Sequence, residues 1–340
     1  MIRYPHLEKG TTVGVTAPSS GVSEELHDSV KLACSRLKAK GYNVVSGGTV
    51  WTHDKAKSAP ARIRAAEFNE MMQDDSIGLI FPPWGGELLI EILEFIDFKN
   101  AACKWIMGYS DTSVLLLAIT LNTGIATAHG TNLMDVRGEH SDETTAMWES
   151  VLSTPFGESI LQRSSPRYQK EWRHSDPSSC VFHLTEPTKW KVISEQNVHI
   201  QGRLLGGCID VIRHLIGTPF GNVRHFQEKY INNEPVVWVL ENCELSATDL
   251  RRSLVHMKLA GWLDHCTGLI FGRSSANQTV QNYTAQDVYK DLADELGIPV
   301  VYDVDCGHVP PQITFINGAY AEIEVNAAEG TGTVKQYFNP

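Results

Sequence analysis

Along the first 130 positions, apolar and polar residues fall into blocks that switch between the two-residue repeat of a strand and the 3.6-residue repeat of a helix. "TTVGVTAP" reads as a buried strand, and residues 24–40 then place Leu26, Val30, Ala33 and Leu37 on one helical face that Gly41 closes. "YNVVSGG" predicts the next strand, Pro60 opens a helix over 60–73, and "SIGLIFPP" predicts a third strand. "GGELLIEILEFIDF" is expected to be helical, "KWIMGY" a fourth strand, 111–123 a further helix and "GIATAHG" a fifth strand. Such β-α alternation implies a parallel sheet covered on both faces. In that architecture chemistry collects where strands end and helices begin.

Residues 136–200 lose this rhythm in a segment containing "RSSPRYQKEWRHSDPSS", rich in serine, proline and charge. Pattern returns with "VHIQGRLLGGCIDVIRHLIGT", "EPVVWVLENCE", a helix over 247–260, "TGLIFGR", a helix over 284–296 and "IPVVYDVDCGH". The tail alternates around Asn317-Gly318, a hairpin signal. The expected fold class is α/β: an N-terminal parallel-sheet unit of the Rossmann or flavodoxin type over 1–160, an irregular linker over 161–195, and a mixed α/β unit over 196–340.

The net charge of -11 opposes binding to phosphate backbones, and no lysine/arginine-rich block offsets it locally. No nucleic-acid partner is expected. No apolar stretch reaches the roughly 20 residues of a membrane span, and "MIRYPHLEKGTTVGV" lacks the layout of a secretory leader. The expectation is a cytoplasmic protein without a membrane partner. Seven scattered cysteines, with no C-x-x-C pair and no histidine at metal-ligand spacing, point to reduced thiols and to no metal or cofactor. Cys243 and Cys306 read as small apolar fillers at strand ends.

Candidate chemistry begins at "IMGYSDTS", where Ser110 stands between a strand and a helix with Gly108 two residues before and Thr112 two after. A sharp strand-to-helix turn exposes a hydroxyl and aims unpaired helix N–H groups at negative charge, which a nucleophilic serine requires. By itself the octapeptide also fits a helix capped by Ser110 or Asp111. One β-α unit earlier, "PPWGGELL" sets adjacent glycines at the same sheet edge, where their amides could meet an anion. Glu241 ends "PVVWVLE", compatible with a buried anion that orients a histidine or with an exposed strand end. His308 follows a strand in "CGHVPP", a stiff loop suited to a general base.

Taken in order, "YPHLEKGTTVGVTAPSS", "GYSDTS", "GRLLGGCIDVIRHLIGTPF", "VLENCELSATDLRRSLVHMKLAGWLDHCTGLIFGR" and "CGH" resemble the S66 serine peptidase family, the LD-carboxypeptidases together with the microcin C self-immunity peptidases. The resemblance implies Ser110 as nucleophile, His308 as base and then acid, and Glu241 as the group orienting it. It places the oxyanion donors at the backbone N–H of Gly86, with Gly85 as the alternative, and of Asp111. It also implies a smaller second domain, a cleft between the domains, a homodimer, no metal or cofactor, and a small peptide or peptidyl-nucleotide as substrate. A ligand-binding protein without catalysis is the reading from another class. Many LD-carboxypeptidases carry R-G-G-Y-G where this chain has Trp84-Gly85-Gly86-Glu87, so the pocket lining, Glu87 included, departs from theirs. In the microcin branch an aromatic ring from the linker stacks on a nucleobase. Here Trp172, flanked by Glu171 and Arg173, is the expected exposed platform, with Trp190 the other tryptophan.

Overall fold

The computed structural model describes residues 1–172 and 176–339. In chain order the first part holds β1 (Thr12–Val15), α1 (His27–Ala39), β2 (Asn43–Ser46), α2 (Ala61–Gln73), β3 (Ile77–Ile80), β4 (Trp105–Gly108), α3 (Thr112–Thr123) and β5 (Thr127–His129). These strands pair in parallel in the order β2-β1-β3-β4-β5. The alternation read from the sequence thus produces the expected parallel sheet, and its order puts a crevice at the carboxyl ends of β1 and β3, where the winding reverses.

Two local expectations fail. Between β3 and β4 the chain forms a 3₁₀ turn over Leu89–Phe95 rather than the helix expected of "GGELLIEILEFIDF". Leu89, Ile92 and Phe95 recur every three residues, the repeat that a 3₁₀ turn stacks on one side. Its ends are held from outside: the Leu89 N–H donates to Asp111 Oδ2, and Asn69 donates to the Phe95 carbonyl. Conversely, a helix not read from the sequence, α4 (Glu143–Leu152), sits in the supposedly irregular stretch. Asp142 caps it by accepting from the Thr144 and Thr145 N–H groups, and Trp148, Val151 and Leu152 bury its inner face.

The rest of the chain contributes β6 (Ser159–Arg163), β7 (Arg167–Tyr168), β8 (Glu186–Pro187), β9 (Lys191–Val192), β10 (Val198–Cys208), α5 (Ile209–Ile212), α6 (Val223–Tyr230), β11 (Val236–Glu241), α7 (Ala247–Leu259), β12 (Cys266–Gly272), α8 (Ala285–Leu296), β13 (Val300–Val304), β14 (Phe315–Asn317), β15 (Tyr320–Asn326) and β16 (Thr331–Tyr337). Eight of these strands form a second sheet in the order β6-β16-β15-β10-β11-β12-β13-β9, with β10 to β13 mutually parallel.

Sheet membership crosses the divisions expected at residues 160 and 196. β6 straddles residue 160 and joins the second sheet, whereas β14 pairs antiparallel with β5 and completes the first. Asn317-Gly318 is therefore not a hairpin. It is the point at which the chain leaves one sheet for the other. The Asn317 side chain accepts from the Gly206 N–H and donates to Thr127 Oγ1, bonds to both sheets that outweigh the local hairpin preference. The hairpin lies one strand later, between β15 and β16.

The apolar run of α3 explains how the two sheets hold together. Its residues Val114 to Leu121 are all buried, because the helix packs on β4 and β5 on one side and on β10 on the other. Each fully buried Leu or Ile there contributes about 1.5–3 kcal/mol. The carboxyl ends of β4 and β11 are thereby fixed to one framework. No helix among the described residues is long and apolar enough to cross a membrane.

Candidate active site

Ser110 occupies the turn between β4 and α3 with φ 63°, a left-handed conformation that a non-glycine residue adopts at a cost and that lifts its side chain out of the turn. Crowding explains the small neighbours. A Cβ on Gly108 would stand 2.9 Å from Asn132 Oδ1 and 3.0 Å from Thr112 Cγ2. Neither residue weighed as a helix cap acts as one through its side chain. The buried Asp111 carboxylate instead accepts from Ser19 Oγ at 2.5 Å and the Leu89 N–H at 2.8 Å, tying the segments that follow β1, β3 and β4 together. Burial raises its pKa despite these bonds.

From the second sheet come Glu241, the last residue of β11, and His308, four residues beyond β13. The structure brings both to Ser110. His308 Nε2 lies 3.1 Å from Ser110 Oγ, and its Nδ1 lies 2.7 Å from Glu241 Oε2, which also accepts the His308 backbone N–H at 3.0 Å. Gly307, at φ 88°, makes this approach possible: a Cβ there would lie 2.0 Å from Glu241 Oε2. Tyr109 packs edge-on against the imidazole, ring centroids 5.0 Å apart.

Electrostatics follow from the burial. Glu241 is 1% exposed. Burial alone would raise its pKa, but the His308 ring, its two hydrogen bonds and the more distant His129 bring the carboxyl below the usual range. For His308 burial disfavours the charged form, yet the Glu241 carboxylate, aided by Cys243, carries the ring well above an ordinary histidine.

The glycine pair meets this group as the sheet-edge reading expects. A Cβ on Gly85 would stand 2.7 Å from Ser110 Cβ and 2.8 Å from the Asp111 N. Among the described residues neither the Gly86 nor the Asp111 N–H is bonded to a protein acceptor. A cavity of about 320 Å³ opens here, lined by Trp84, Gly85, Gly86, Ser110, Asn132 and His308. An adjoining cavity of about 380 Å³ is lined by Trp84, Tyr109, Asp135, Arg137, Trp172 and His308. Depressions of about 610–640 Å³ elsewhere are larger, but Ser110, Glu241 and His308 line none of them.

The remaining expected residues divide. Trp172 borders the second cavity and donates its Nε1–H to the His308 carbonyl at 2.8 Å; its neighbour Arg173 lies outside the described residues. Trp190 is 1% exposed and packs in a cluster with Val192, Ile323 and Val334 of the second sheet, donating to Asp305 Oδ2 at 2.9 Å. Glu87 is exposed and lines neither cavity, and partial loss of hydration beside the Glu244 and Asp111 carboxyls raises its pKa. The sequence reading missed Asn132, whose Oδ1 accepts the Tyr109 N–H at 3.2 Å, and Asp135, whose carboxyl burial pushes up to about 6. Both follow β5 in "HGTNLMD", at the same sheet edge as Ser110, and that placement was the available signal.

Behind His308 a buried pair sets the loop. Arg273 Nη2 lies 2.8 Å from Asp305 Oδ1, while Asp305 Oδ2 accepts from Trp190 Nε1 and the Ser165 N–H. Gln312 accepts the Gly307 N–H at 2.9 Å. Arg273→Ala strands a buried carboxylate and is expected to cost about 3–5 kcal/mol. Urea denaturation checks this, and a loss below about 1 kcal/mol would show Asp305 solvated in the native state.

Family models describe the chain in two parts, an LD-carboxypeptidase N-terminal domain over residues 13–130 and an LD-carboxypeptidase C-terminal domain over 201–323. A Bacillus subtilis protein named "Probable murein peptide carboxypeptidase" is 26% identical over 340 residues, covering 97% of this chain and 93% of its own. The microcin C7 self-immunity protein MccF of Escherichia coli is 24% identical over 342 residues, covering 94% and 92%. A solved structure of MccF in complex with aspartyl sulfamoyl adenosine shares the fold at a TM-score of 0.81, with 20% identity and 100% of both chains covered. With both domains matched in order, this chain belongs to the S66 peptidase family of LD-carboxypeptidases and MccF-like proteins.

Proposed function

We propose that the protein is a serine carboxypeptidase that hydrolyses the amide bond at the C-terminal end of a small peptide. The observation that carries this reading is the continuous path from Ser110 Oγ to His308 Nε2 at 3.1 Å and from His308 Nδ1 to Glu241 Oε2 at 2.7 Å, facing a cavity. His308 Nε2 takes the hydroxyl proton as Ser110 Oγ bonds to the scissile carbonyl carbon. The carbonyl π pair moves onto oxygen, and the Gly86 and Asp111 N–H groups donate to that oxyanion. Collapse of the adduct expels the amine, which leaves with the proton from His308. Water then attacks the acyl-enzyme ester by the same route and releases the acid and Ser110. The substrate class we infer is a murein tetrapeptide losing its terminal D-alanine, which the name of the B. subtilis relative supports.

One observation favours a second substrate reading. Trp84, Tyr109 and Trp172 give the cavity beside His308 flat aromatic walls, with Asp135 and Arg137 supplying polar groups. Such walls suit a nucleobase, and MccF has been solved with an aminoacyl sulfamoyl nucleoside. Incubating the purified protein with a muropeptide tetrapeptide and with aspartyl sulfamoyl-adenosine, and reading products by mass spectrometry, separates the two. Release of D-alanine from the first supports the carboxypeptidase. Cleavage of the adenosine compound alone, with Trp172→Ala raising its KM roughly 5- to 100-fold, replaces the murein substrate with the nucleotide conjugate.

A further inference from the structure

The parallel register of β10 and β11 sets Cys208 directly beside Glu241. One donor atom from each of Cys208, Glu241 and His308 lies within 4.8 Å of the others. Amide hydrolysis gives the Cys208 thiol no task. It is buried, and its one recorded side-chain bond is a weak donation to Asp210 Oδ2 at 3.3 Å. Glu241 supplies the second observation. Its Oε2 carries both bonds to His308, while Oε1, wholly buried, has no hydrogen-bond partner among the described residues. An orphaned carboxylate oxygen at this depth is costly unless something accepts its lone pair.

Thiolate, imidazole and carboxylate together are the donor set of zinc, whereas calcium and magnesium select oxygen alone. Bonds of about 2.0–2.3 Å place tetrahedral donors roughly 3.3–3.8 Å apart, so side-chain rotation of about an ångström closes the set. Two cavities reach the His308 ring, the member of the set nearest solvent.

We propose that Cys208, Glu241 and His308 form a site for a thiophilic divalent cation of the Zn²⁺ class, and that its occupation inhibits the enzyme. On binding, Cys208 releases its proton to solvent as the sulfur–metal bond forms, and the His308 nitrogen that meets the metal gives up its N–H proton, to solvent from the charged ring or to the other ring nitrogen from the neutral one, as its lone pair goes to the metal. His308 is then drawn out of line and no longer accepts the Ser110 proton. The inhibitory part rests on the hydrolase reading above; the binding part does not.

The test uses the full chain and two readouts. Co²⁺ is titrated into Ser110→Ala, where a cysteine-to-cobalt charge-transfer band that Zn²⁺ abolishes is expected, and adding Cys208→Ser removes the band. In hydrolysis by the Ser110 protein, Zn²⁺ inhibits and EDTA restores turnover. Cys208→Ser raises the Zn²⁺ concentration for half-inhibition roughly tenfold or more, while Cys103→Ser, at an exposed thiol, leaves it unchanged. Cys208→Ala repeats both measurements should the serine variant misfold. Absence of the band, or a band unaffected by loss of Cys208, overturns the site even where hydrolysis is normal. A Cys208-dependent band in a protein that hydrolyses nothing supports the site and overturns the hydrolase reading instead.

Discussion

Ser110→Ala is expected to lower turnover of the cleaved substrate by roughly 10⁴- to 10⁶-fold while leaving the fold intact. The size follows from the proposed covalent catalysis. Without Oγ no acyl-enzyme forms, and the rest of the site can only polarise a carbonyl and position a water. The fold survives because the side chain bonds only to His308 Nε2 among the described residues, while the backbone of the turn is held independently. The Ser110 carbonyl accepts the Ser113 N–H, and Asp111 is anchored to Ser19 and Leu89. Alanine keeps the positive φ of 63° costly but does not crowd it further. A fluorophosphonate probe should label the wild type and not the variant, with matching circular dichroism and melting. Equal labelling of both proteins would remove Ser110 from its role and favour the ligand-binding alternative.

Much of this site was legible because two of its parts, Ser110 and Glu241, sit at or just past strand ends that hydrophobic pattern alone reveals. "WIMG", two residues before Ser110, and "VVWVL", immediately before Glu241, are runs too apolar to be anything but buried strands in a β-α series, and in a parallel sheet the residues that follow lie at the working edge. That Glu241 is buried rather than exposed at its strand end could not be read locally. It depends on Gly307 lying against it, from a loop 66 positions later in the chain. The Asn317-Gly318 error has the same origin, since the bonds of Asn317 to Gly206 and Thr127 cross between sheets. Leu89–Phe95 failed for another reason: its apolar positions at 89, 92, 93 and 95 fit a three-residue repeat as well as a 3.6-residue one, and its external caps at Asn69 and Asp111 are invisible to periodicity. Cys208 was passed over because only strand register, not spacing, brings it to Glu241.

Glu241→Gln should reduce kcat by about 10³- to 10⁴-fold and, more tellingly, move the pH profile. In the proposed mechanism the base is the neutral imidazole, so activity is lost as pH falls through the pKa of His308. In the native protein that value stands well above an ordinary histidine, because the Glu241 carboxylate overcomes the burial that opposes the charged ring. The ascending limb of kcat/KM for the wild type is therefore expected above about pH 6.5, the unperturbed value. Glutamine keeps an oxygen to accept from His308 Nδ1 and from the His308 backbone N–H, so the loop stays in place. It removes the charge, leaving burial as the dominant influence, and burial favours the neutral ring. The limb must then shift to lower pH even as the plateau drops, since the imidazolium formed during attack has lost its counter-charge. A merely structural glutamate would lower activity without displacing the limb. A wild-type limb at or below the ordinary imidazole range, or an unmoved limb in the variant, would show that the Glu241 carboxylate does not set the protonation of His308 during turnover.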